Sequence, residues 1–128
     1  MKFVILDHFP PEPSAEPPTA RTQQRHFDLM FEVDGEDTLL TFALFQLPLE
    51  PAISVEFKQL ENHRSEYLTY EGPVSNNRGS VKRQAHGVWT GELAQKAILS
   101  FDDESANFAG ATWTIRIDLP QNLLFRVA

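Results

Sequence analysis

Arg25-His26-Phe27-Asp28-Leu29-Met30-Phe31-Glu32-Val33 is the stretch whose reading decides the fold. Taken with the two-residue period of a strand, Phe27, Leu29, Phe31 and Val33 form one apolar face, and His26, Asp28, Met30 and Glu32 form the other. A strand with one fully hydrophobic face belongs on a core. Its opposite face sets an imidazole and a carboxylate about 6–7 Å apart along the chain, a spacing at which both can converge on one divalent ion. An ordinary solvated polar face is the competing reading of His-x-Asp.

Working outward, Asp34-Gly35 is a turn signal, and Leu39 to Phe45 reads as the returning strand, apolar on both faces. Upstream, Lys2 to Leu6 is a short apolar strand running into Asp7 and His8. This run is too short to export the chain or to span a membrane. Between the two, Pro10, Pro11, Pro13, Pro17 and Pro18 make residues 9–24 an extended Pro-rich loop, either a linker or a flap. Downstream, Ile53 to Leu60 puts Val55 and Phe57 on one side and Glu56 and Lys58 on the other. Val81 to Gln84 and Gly87 to Thr90 read as two short strands or one interrupted strand. Ala97 to Phe101, Ala111 to Asp118 and Leu123 to Val127 complete the set. The only plausible helical turn falls at Gly91 to Lys96. Seven to nine short strands with turn punctuation predict one all-β domain over residues 1–128, a small closed or nearly closed β-barrel. Trp89 and Trp113 lie on apolar strand faces and are expected in its core.

Composition bounds the partners. The chain has 128 residues, 11 Lys and Arg against 18 Asp and Glu, and no Cys. A net charge of −7 disfavours grip on extended duplex nucleic acid, which relies on cations neutralising phosphates. Absent cysteine excludes a disulfide framework and a thiol nucleophile, and fits a cytoplasmic setting. There is no Gly-rich phosphate loop and no nucleophile elbow. What remains are four histidines, His8, His26, His63 and His86. Strand ends distant in sequence can meet at a barrel mouth, where two imidazoles and Asp28 would give three ligands to one divalent ion. A third histidine would then serve as general acid or phosphate contact. Alternatively each histidine simply closes a strand at the surface. Arg78, Lys82 and Arg83 form a small basic patch, and Asp102-Asp103-Glu104 reads as an acidic turn.

The order of these segments resembles the 3′-phosphoesterase domain of bacterial DNA ligase D and its stand-alone relatives. The resemblance runs through Phe3-Val4-Ile5-Leu6-Asp7-His8, His26 to Gly35, Glu61-Asn62-His63, Tyr67, Tyr70-Glu71-Gly72 and Gly87-Val88-Trp89, and so covers most of the chain. It implies a compact β-barrel and a manganese-type phosphoesterase that trims 3′ ends of DNA in repair. By position it implies His8, His26 and Asp28 as metal ligands, His63 at the reacting phosphate and Tyr67 beside it. The chain departs from the family at two phosphate-clamping arginines, where it carries Met30 and Val55. Arg25, Arg64 and Arg78 are the expected substitutes. The substrate expected is a phosphorylated small molecule or a 3′ nucleic-acid end. A barrel that binds a ligand or metal without turnover is the alternative.

Overall fold

The computed structural model describes residues 1–10, 25–75 and 78–128, so the Pro-rich loop of 9–24 lies almost entirely outside the described residues. Among the described residues ten strands are formed: β1 (Lys2–Phe9), β2 (His26–Glu32), β3 (Thr38–Leu44), β4 (Ser54–Gln59), β5 (His63–Arg64), β6 (Gly72–Pro73), β7 (Ser80–Glu92), β8 (Lys96–Phe101), β9 (Thr112–Asp118) and β10 (Leu123–Arg126). Eight of them run β1-β2-β3-β4-β10-β9-β8-β7, and pairing of β7 back onto β1 closes the ring. All of these pairs are antiparallel. The fold is the expected all-β barrel. Among the described residues no helix is long and apolar enough to cross a membrane.

Closure follows from alternation. The face predicted from Phe27, Leu29 and Phe31 turns inward and meets Phe3, Ile5, Phe42, Leu44, Trp89 and Trp113. An eight-stranded barrel encloses a space that side chains can just fill. Aromatic rings fill it edge to face, with Phe31 and Trp89 centroids 5.3 Å apart and Phe101 and Trp113 4.7 Å apart. Trp89 Nε1 satisfies its N–H by donating to the Glu32 carbonyl at 3.0 Å.

The outer wall is also apolar over one patch. Val4, Leu6, Met30, Leu39, Tyr67 and Val81 form a second buried cluster on the outside of β1, β2 and β7. A strap covers it. The chain follows the edge of β3 through β5, where Leu39 pairs with His63. It turns through a 3-10 segment at Ser65–Leu68 and crosses to β7, where Gly72 pairs with Val81. This crossing from β3 to β7, over β2 and β1, builds the walls of the site.

β7 is one continuous strand of 13 residues, not two. A register shift against β1 leaves Gln84 as an extra residue, because Ile5 faces Ala85 while Leu6 faces Arg83. Such a bulge flips the alternation. Val81 therefore faces the outer cluster while Ala85 and Trp89 face the core. The helical turn expected at Gly91 to Lys96 is instead a hairpin. Glu92 pairs with Lys96, and Gln95 N donates to Glu92 O at 3.0 Å. Gly91 adopts φ +95°, and a Cβ there would lie 2.2 Å from the Lys96 carbonyl oxygen, so glycine serves the tight return.

Candidate metal centre and cavity

His8 and His26 are a directly opposed pair in the β1–β2 ladder, and Asp28 lies opposite Leu6. Alternation puts all three on the outward face shared with Leu6 and Met30. The expected meeting point was a barrel mouth. The structure instead gathers them on the outside of the barrel wall, where antiparallel register rather than strand ends brings them together.

Asp28 is the pivot, 1 % exposed. His8 Nδ1 lies 2.8 Å from its Oδ2 and His26 Nε2 lies 3.1 Å from its Oδ1. Burial pushes the Asp28 carboxyl up, but the contacts with His26 and His8 outweigh burial and hold it down at about 2. The carboxylate is therefore charged at neutral pH, and two imidazoles clasp it. Their ring centroids are 4.6 Å apart. The second nitrogen of His8, Nε2, donates to the Arg78 carbonyl at 2.7 Å, anchoring the end of the strap.

One ligand atom from each of His8, His26 and Asp28 lies within 4.8 Å of the others. Three bonds of about 2.0–2.2 Å to a tetrahedral ion put the ligand atoms about 3.4 Å apart, so only a small inward adjustment of the side chains is needed. Two imidazoles and an ionised carboxylate also suit a borderline divalent ion such as manganese or zinc. The donor set fits a metal. No protein-family model and no curated protein matches this chain. The residues themselves carry the argument.

A cavity of about 440 Å³ opens over the three side chains, within the range of small-molecule sites. His63, Arg64, Tyr67 and Arg78 line it together with His8, His26 and Asp28, as do Met30, Phe45 and Lys58. His63 sits at the start of the strap. Its Nδ1 donates to the Glu61 carbonyl at 2.8 Å, which leaves the lone pair of a neutral ring on Nε2. Tyr67 is held in the outer cluster with its ring centroid 5.6 Å from that of His63.

The remaining cations divide. Arg64 Nε pairs with Glu66 at 2.8 Å on the surface, and Arg78 donates from Nε to the Ser75 carbonyl at 2.9 Å. Arg25 does not line the cavity. Its Nε and one terminal nitrogen grip both oxygens of Asp7 at 2.8 and 2.5 Å, and the guanidinium stacks over Phe9. Of the basic patch, only Arg78 reaches the cavity, while Arg83 donates to the Leu68 carbonyl at 3.2 Å and braces the strap. His86 is elsewhere, 2.9 Å from Asp102. Sequence reasoning passed over Lys58 and Phe45 at this site. For Lys58 the signal was present, since alternation along β4 already placed it opposite to Val55 and Phe57.

Proposed function

We propose that this chain is a divergent relative of the DNA ligase D 3′-phosphoesterase domain, a metal-dependent hydrolase of a small phosphoester or a 3′ nucleic-acid end. One observation carries the reading: His8, His26, Asp28, His63 and Tyr67, drawn from three separate stretches of sequence, line a single cavity. A barrel whose histidines merely closed strands would have no reason to collect them over one buried carboxylate.

His8, His26 and Asp28 would hold the ion, with manganese the first choice and zinc the second. Such an ion supplies Lewis-acid polarisation of a phosphoryl oxygen. His63, with Nδ1 committed to the Glu61 carbonyl, would offer Nε2 to the phosphate or to the leaving oxygen. Tyr67 packs edge-on against His63 and would fix the plane of its ring. The strap and its apolar cluster would exclude water from one side of the site.

A second reading, a barrel that binds a metal or ligand without turnover, draws on Met30 and Val55. Met30 is 1 % exposed in the outer cluster and Val55 is 1 % exposed in the barrel interior, so neither position offers a guanidinium fork. Hydrolysis of an aryl phosphodiester and of a 3′-phosphorylated oligonucleotide separates the two. Turnover that needs manganese, stops with chelator and disappears in His26→Ala supports the hydrolase. Manganese binding with no metal-dependent rate on either substrate supports the binding module instead.

A further inference from the structure

We infer that Lys58 is the phosphate-binding cation of this cavity, set across from the proposed metal ligands; the inference rests on the phosphoesterase reading. It begins with the register. Lys58 on β4 pairs with Ala43 on β3, and Ala43 pairs with Asp28 on β2. The three occupy one row on the outer wall, with Lys58 and Asp28 two strand spacings apart, about 10 Å. The residue between them is alanine, so no large side chain stands in the way. Lys58, Ala43 and Asp28 all line the cavity.

Charge accounting singles out the same residue. Three cationic side chains, Lys58, Arg64 and Arg78, line the cavity. Arg64 is engaged by the Glu66 carboxylate, and Arg78 is tied to Ser75 through both its carbonyl and its hydroxyl oxygen. Among the described residues Lys58 has no ion-pair or hydrogen-bond partner. Two carboxylates, Asp28 and Glu61, also line the cavity, but neither forms an ion pair with Lys58, so its ammonium is open to an anion that is not part of the protein.

The fold explains why the charge sits at 58 and not at 55 or 30. On β4 the odd positions, Val55 and Phe57, fill the barrel, and the even positions face out. A cation at 55 would be driven into the core. Position 30 is buried in the outer apolar cluster with Leu6 and Tyr67, where a cation would be desolvated. Position 58 is exposed on the cavity side, and a flexible four-carbon stem lets a compact ammonium follow a phosphate oxygen. The ligand class is thus a phosphate group, which the ammonium of Lys58 would hold across from the residues that would carry the ion, His8, His26 and Asp28.

The test is calorimetric titration of the manganese-loaded 128-residue chain with inorganic phosphate, at fixed salt, in wild type, Lys58→Met and Lys58→Arg. Loss of one charge-assisted contact weakens phosphate binding at least about tenfold in Lys58→Met. Lys58→Arg keeps the charge and most of the affinity, and manganese affinity is unchanged in both. Equal phosphate affinity in wild type and Lys58→Met overturns the assignment. If manganese does not bind but phosphate binding still depends on Lys58, the anion contact stands and the metal-dependent hydrolase reading falls.

Discussion

Asp28 Oδ2 lies 2.8 Å from His8 Nδ1, bridging β1 and β2 through a carboxylate that is 1 % exposed. This contact joins the register of the barrel to the chemistry of its outer wall.

A pH dependence follows from it. Burial pushes the Asp28 carboxyl up, but the His26 and His8 contacts outweigh it and hold the group at about 2, so the test is run in chelator. A depressed carboxylate stabilises the fold fully above its unfolded value and loses that contribution as pH falls through its folded value. The contribution is about 2 kcal/mol, from about two pK units. Urea unfolding at stepped pH between 4 and 2 is expected to show wild type losing this increment on top of the acid slope that it shares with Asp28→Asn through its other carboxylates. An identical acid slope in the variant would mean the carboxylate is not clasped.

Arg25 grips Asp7, one residue before His8 and on the opposite side of the strand by alternation. Arg25→Ala leaves a carboxylate that is 4 % exposed without its guanidinium, so the melting temperature falls. Manganese affinity stays within about twofold, because the two sites share no partner. A large loss of manganese affinity would place Arg25 in the site after all.

Gly87 allows β7 and β8 to approach closely. A Cβ there would lie 1.9 Å from the Ser100 carbonyl oxygen. Gly87→Ala therefore displaces the ladder and costs about 2–3 kcal/mol in urea unfolding. A variant as stable as wild type would show that β8 can shift without penalty.

His63 and Tyr67 are assigned to turnover and not to metal holding. His63→Ala is expected to lower kcat about 100- to 10,000-fold, with manganese affinity kept. Tyr67→Phe preserves the ring packing and has the smaller effect. Steady-state kinetics beside a metal titration separates these roles, and a loss of manganese binding in His63→Ala would make His63 a ligand.

Much of this was legible in the sequence where alternation was strong. His26 to Glu32 announced both its faces, and the inward one fills the barrel. The metal trio was readable as residue types, but its place was not. Which histidine meets which is set by the β1–β2 register, a tertiary quantity. The bulge at Gln84 was invisible for the same reason, since it exists only relative to β1. The 3-10 turn at Ser65–Leu68 is too short for a helical period, and Tyr67, docked in the outer cluster, fixes it. Gly91 announced a turn but not its kind, because its need for glycine comes from the approach of Lys96.

The central claim is that His8, His26 and Asp28 hold one divalent ion. Calorimetric titration of chelator-treated protein with manganese, in wild type and His26→Ala, tests it most directly. One ion per chain in wild type, with affinity at least about tenfold weaker in the variant, is the predicted result, since one of three protein ligands is removed. Equal, weak binding in both proteins would contradict it.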